Sequence, residues 1–133
     1  AYIVFDRLQE GSLNLDDTFV VSKNAWQKGG SRTFLKLNSE VTIRDLLMGL
    51  IVQSGNDAAI VLAEGIAGSE EDFAIQMNQY ANSLEMKNTY FKIIYPDGDV
   101  EYWTSVEKKE VERLEKLNVR KLVIEKIEGV EYE

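Results

Sequence analysis

The chain has 133 residues, 44% of them apolar and 29% charged, enough for one ordinary domain with its own core or for two very small pieces. Its net charge of −8 and pI near 4.6 argue against nucleic acid and anionic membrane surfaces as partners, since both need basic patches. With no Cys and no His, disulfide and thiolate chemistry are excluded, and proton transfer falls to Lys, carboxylate, Tyr or hydroxyl groups.

The chain opens at Ala1 inside the apolar stretch "AYIVFDRL", which reads as a cut through an element. Residues 1–10 are expected to form a helix, with Tyr2, Val4, Phe5 and Leu8 apolar and Gly11 as its stop. A loop follows, then a short strand over Thr18–Val21. The segment "KNAWQKGGSRTFLKLNSE" reads as irregular, turning at Gly29-Gly30. Thr42 offers an N-cap, with Asp45 at the third helical position in place of the usual Glu. Ile43, Leu46, Leu47, Leu50 and Ile51 then recur on one helical face.

Ser54, Gly55 and Asn56 break this apolar run before a second apolar helix, Asp57–Ala67, which Gly68 stops. Buried backbone and side-chain polar groups at such a break must be satisfied or must face a cleft. A third helix starts at Ser69, with Glu70, Glu71 and Asp72 near its positive end. Phe73, Met77, Tyr80, Ala81 and Leu84 are expected to form its buried stripe.

The character changes near residue 92: residues 93–133 carry 18 charged residues in 41, against 20 in the first 92. This doubling marks a junction between segments 1–92 and 93–133. "KIIY" and "DVEYW" flank "PDG", a hairpin signal with Pro96 and Gly98 in turn positions. "TSVEKKEVERLEKLN" reads as a helix capped by Thr104, with Val106, Val111, Leu114 and Leu117 on one side. "VRKLVIEKIEGVEYE" reads as one or two strands, so the tail is of ββαβ type. No apolar run reaches the roughly 18 residues of a membrane-spanning helix, and no signal peptide is visible.

The stretches "AYIVFD", "NAWQKGGSRTFLK", "LLMGLIVQSGNDAAIVLAEGIAGSEEDFAIQMNQYA" and "LEMKNTYF" resemble the low-molecular-weight penicillin-binding proteins, the serine D-alanyl-D-alanine carboxypeptidases of bacterial cell-wall maintenance. The resemblance covers residues 1–92 and leaves 93–133 unmatched. It implies a helical fragment of a penicillin-binding or β-lactamase-like domain; because bare apolar helix faces need a cover, the amphipathic ββαβ-type tail is expected to supply it, giving one domain of α+β class. The family works with three motifs, Ser-x-x-Lys, Ser-x-Asn and Lys-Thr-Gly. Its substrate is the peptidoglycan stem peptide, β-lactams are its inhibitors, its setting is extracytoplasmic, and it needs no cofactor or metal.

Only the middle motif is in place, as Ser54-Gly55-Asn56. Read without the family, it is a helix stop followed by a cap. Read with it, Ser54 and Asn56 are the inherited catalytic-site residues, and Gly55 lets the corner turn tightly so that both side chains face the cleft. Ser105 and Lys108 also satisfy Ser-x-x-Lys, but they fall at a helix start where Thr104 or Ser105 caps and Glu107 completes a capping box. An exposed Lys108 would keep its proton and make a poor base. Trp26 and Phe34 read as packing residues.

In sites where nucleophile and base act as a unit, loss of either costs about 10⁴–10⁶ in rate. The chain is therefore expected to be an inactive carboxypeptidase fragment joined to an unrelated segment, a chimera made by engineering. The alternatives are a structural or interaction module that dimerises or binds a partner through its tail, and a hydrolase using Ser105 and Lys108.

Overall fold

The computed structural model describes residues 1–91 and, beyond them, the backbone of two short strands at 93–94 and 124–125. These fall in two units, residues 1–73 and the described part of 74–130. The first begins with α1, Tyr2–Glu10, closed by Gly11 in the left-handed region at φ 76°, where glycine meets no Cβ penalty. The buried side of α1 runs through Ile3 and Val4, with Leu8 half-buried, while Tyr2 and Phe5 are exposed. The expected apolar face is thus rotated by about one residue.

Strand β1, Thr18–Val20, pairs antiparallel with β2, Glu40–Thr42, with Phe19 opposite Val41. Between them lies α2, Lys23–Gln27, whose N-cap Ser22 accepts the Ala25 N–H at 3.0 Å. Neither α2 nor β2 is legible in the sequence, because elements of five and three residues are too short for periodicity to emerge.

Thr42 caps α3, Ile43–Gln53, as expected: its hydroxyl accepts the Asp45 N–H at 3.1 Å and donates to the Asp45 carboxylate at 2.9 Å. Ile43, Leu46 and Leu47 are buried and Leu50 half-buried, but Ile51 is exposed together with Met48 and Val52. Helix α4, Asn56–Ala67, follows one corner later and ends at Gly68 with φ 93°. It packs against α2, α3 and β1, and so buries Ala58, Ile60, Val61, Leu62 and Ala63 on several sides. A helix apolar nearly all round takes such a central place.

Val4, Val21, Ala25, Ile43, Leu46 and Leu47 form one core with Ala58, Ile60, Val61 and Leu62 of α4, edged by Leu8, Leu13, Leu15, Phe19 and Leu35. Two close approaches shape it. The Phe19 ring lies where a Cβ on Gly65 would be, and the Thr33 side chain lies where one on Gly49 would be.

Helix α5, Glu70–Ser83, is capped by Ser69, which accepts the Asp72 N–H at 3.0 Å. In the second unit its buried residues are Ala74 and Ala81, two turns apart; Met77 and Tyr80 are half-buried and Leu84 is exposed. Of the expected stripe Ala81 is thus buried, while Ala74, outside it, is the other enclosed residue. The Asn78 side chain clasps the Phe91 backbone from both sides, donating to its carbonyl and accepting its N–H, each at 2.7 Å. Strands β3, Ile93–Ile94, and β4, Ile124–Glu125, pair in parallel. They fall where the sequence predicts extended segments. The predicted hairpin turn and charged helix lie outside the described residues, as do Ser105 and Lys108.

Candidate functional site

The polar break between α3 and α4 is a corner clasped by a distant loop. Helix α3 ends with Ser54 in the left-handed region (φ 52°, ψ 38°), and the Gly55 N–H reaches back to the Gly49 carbonyl at 3.0 Å. A non-glycine residue in this region carries a conformational cost of roughly 1–2 kcal/mol, and such residues gather at functional sites. It leaves the Ser54 side chain exposed.

Gly55 itself has an ordinary φ of −65°, so the expectation that its backbone freedom makes the turn is corrected: Ser54 makes the turn. Gly55 is glycine for want of space. A Cβ there would overlap Thr33 Oγ1 and lie 3.1 Å from Asp57 Oδ1 and 3.2 Å from the Gly49 carbonyl oxygen.

Asn56 opens α4 and is half-buried. Its N–H donates to the Ser31 carbonyl at 2.8 Å, and its Nδ2 donates to the Gly29 carbonyl at 3.0 Å. On the α3 side, the Ser31 hydroxyl donates to the Gln53 carbonyl. The segment 29–35 is thus stitched to both helix ends.

The strongest tie is Asp57, which is fully buried. Its Oδ1 accepts the N–H groups of Thr33 at 2.8 Å and Ala58 at 3.0 Å, and its Oδ2 accepts that of Leu35 at 3.1 Å. Burial alone would push this carboxyl up, but the three backbone donors and the nearby Arg32 charge outweigh it and hold the group below its ordinary value.

Because Thr33 and Leu35 both donate inward, the residue between them is turned out. Phe34 sits at φ 62° and is 80% exposed, with the Arg32 guanidinium 5.5 Å from its ring centroid. Arg32 also donates to the Trp26 carbonyl. The reading of Trp26 and Phe34 as packing residues is therefore corrected: Trp26 is also exposed, and Phe34 is held outward by the Asp57 bonds on either side.

The structure brings Ser54 and Asn56 together on one corner with an exposed hydroxyl and an anchored amide, groups suited to hydrogen-bonding a polar ligand. Asp57, Thr33 and Ser31, which hold that corner, escape sequence reasoning. One signal was present: an Asp among the apolar residues of "NDAAIVLA", on a helix that must be buried, has to find donors. Its partners lie 22 and 24 positions away, beyond any local pattern. Among the described residues no group of carboxylates is placed to hold a metal ion.

Residues 1–98 match the family model described as D-alanyl-D-alanine carboxypeptidase. This chain belongs to the D-alanyl-D-alanine carboxypeptidase family. The carboxypeptidase match extends past the charge break at residue 92. The carboxypeptidase DacF of Bacillus subtilis (strain 168) is 40% identical over 90 residues, which are 68% of this chain and 23% of that protein. Among solved structures, the carboxypeptidase DacD from Francisella tularensis superposes with a TM-score of 0.67 at 42% identity, over 68% of this chain and 22% of that one. Penicillin binding protein 6B from Escherichia coli gives 0.65 at 33% identity, over 90% of this chain and 39% of that one. The chain spans about a quarter of the length of the curated carboxypeptidases it matches. The fold described above is accordingly a helical fragment of the penicillin-binding fold.

Proposed function

We propose that Ser54-Gly55-Asn56 is the middle motif of a serine penicillin-binding fold acting on peptidoglycan stem peptides, and that the 133-residue polypeptide alone holds ligand groups without cleaving them. The observation that carries this reading is the corner itself, a left-handed Ser54 and a loop-anchored Asn56 inside the family match. Ser54 offers a hydroxyl, and Asn56 offers an amide to a peptide or β-lactam carbonyl or N–H.

Acyl transfer needs a nucleophile with its base in hydrogen-bond reach. The Ser-x-x-Lys pattern at Ser105 and Lys108 lies beyond the family match, and no Lys-Thr-Gly occurs in the 133 residues. We read the residues beyond the family match, 99–133, as a segment of separate origin joined to the family portion, which moves the junction expected at residue 92 to residue 98. Their charge density and the end of the family match at residue 98 support this; the alignment to penicillin binding protein 6B over 90% of the chain weighs against it.

Fluorescent penicillin incubated with the purified chain and resolved on a denaturing gel tests the reading. The expected result is no labelled band. A covalent band that disappears in Ser105→Ala would establish the tail as a nucleophile and overturn it.

A second reading, self-association, is favoured by the exposed apolar residues Met48, Ile51 and Val52 on α3 and Tyr2 and Phe5 on α1, because apolar helix faces of this kind are ordinarily covered. Light scattering after size-exclusion chromatography decides it: a dimer mass supports it, and a monomer at all concentrations removes it.

A further inference from the structure

The three Asp57 hydrogen bonds are unequal in consequence. The bond to Ala58 is local to α4, as any first-turn carboxylate can make. The bonds to Thr33 and Leu35 cross from α4 to the loop and grip alternate residues of it. Two positions before this grip, Ser31 supplies the carbonyl that receives the Asn56 N–H, and Gly29 supplies the carbonyl that receives Asn56 Nδ2. The orientation of the Asn56 amide therefore depends on where the loop sits, and the loop is held there by the Asp57 carboxylate from α4 and by the Ser31 hydroxyl on the Gln53 carbonyl of α3.

We propose that Asp57 is a positioning residue: its buried carboxylate latches residues 29–35 onto the corner and so sets the direction in which Asn56 presents its amide. A carboxylate suits the task because it offers only acceptors, whereas an amide would turn N–H donors toward backbone N–H groups. Hydrogen bonds to an ionised acceptor are also about twice as strong as neutral ones. The charged group facing it is Arg32 on the loop; from the corner and α4 it meets Gly55 and the Ala58 N–H. Its functional meaning rests on the reading of residues 54–56 as ligand-facing, but the latch itself does not.

The test is amide exchange by NMR on the full chain. In Asp57→Asn, exchange at Thr33 and Leu35 should quicken at least tenfold and the Asn56 side-chain NH₂ signals should shift, while Val61 in the core keeps its protection. Unchanged protection at Thr33 and Leu35 overturns the proposal. If Asp57→Asn does not fold, acid titration of the wild-type chain decides. Protection at Thr33 and Leu35 should fall with the midpoint of the Asp57 carboxyl carbon shift, ahead of Val61. Loss only together with Val61 overturns it. Penicillin labelling plays no part in either readout, so failure of the latch and failure of the functional reading are told apart.

Discussion

Replacing Gly55 by Ala isolates the packing of the corner from its backbone geometry. At φ −65°, alanine fits without dihedral strain, and in open space the change would stabilise by about 0.4–1 kcal/mol through the unfolded chain. The sign is instead set by space: the new methyl group overlaps Thr33 Oγ1 and crowds Asp57 Oδ1 at 3.1 Å and the Gly49 carbonyl at 3.2 Å. Overpacking of this kind costs roughly 1–3 kcal/mol, so Gly55→Ala should destabilise by about 1–2 kcal/mol after the entropic gain. Thr33 Oγ1 is buried without a hydrogen-bond partner among the described residues, so Thr33→Ala trades lost methyl contacts against relief of an unsatisfied hydroxyl and should lie within about 1 kcal/mol of the wild type. In the Thr33→Ala background the nearest obstacle is gone, and Gly55→Ala should cost less than about 0.5 kcal/mol. Urea unfolding of the four proteins, followed by far-UV circular dichroism, gives the coupling energy. An equal penalty in both backgrounds, or none in either, would refute this account of Gly55.

Three further outcomes follow from other contacts. Gly65→Ala sets a methyl group into the Phe19 ring and should lower the urea midpoint by the equivalent of about 1–3 kcal/mol, largely recovered in a Phe19→Ala background. Thr42→Ala removes the α3 cap and the hydroxyl bonded to Asp45, a loss of about 1 kcal/mol by the same measurement. The Asp57 carboxyl is held below its ordinary value in the folded chain. Its contribution is therefore fully present above the unfolded value of about 3.9 and lost as pH falls through the folded value. Urea midpoints should drop on acidification in the wild type and drop less steeply in Asp57→Asn.

Much of the first 91 residues could be read from the residues in order. Gly11, Gly68, Thr42 and Ser69 mark helix ends through chemistry local to each site, a left-handed stop or a side-chain cap, and the structure places all four as expected. Burial was less legible. Ile51, Leu84, Tyr2 and Phe5 match a helical period yet are exposed, because periodicity names a candidate face and only the neighbouring elements decide how far round it the cover extends. The candidate corner was visible as Ser54 and Asn56, but what holds it was not. The Asp57 carboxylate reaches across 24 and 22 positions to the backbone N–H groups of Thr33 and Leu35, groups that every residue but proline possesses, so the loop's side chains carry no trace of the pairing. Gly55 shows the same limit: the sequence suggests a turn, whereas the structure shows a close approach.

Release of D-alanine from a peptide ending in D-Ala-D-Ala, measured with the purified 133-residue chain, bears most directly on the reading of an anchored ligand corner without its own nucleophile. No release above the buffer control is the predicted result. Sustained turnover that co-purifies with the chain and is abolished by Ser54→Ala or Ser105→Ala would contradict it.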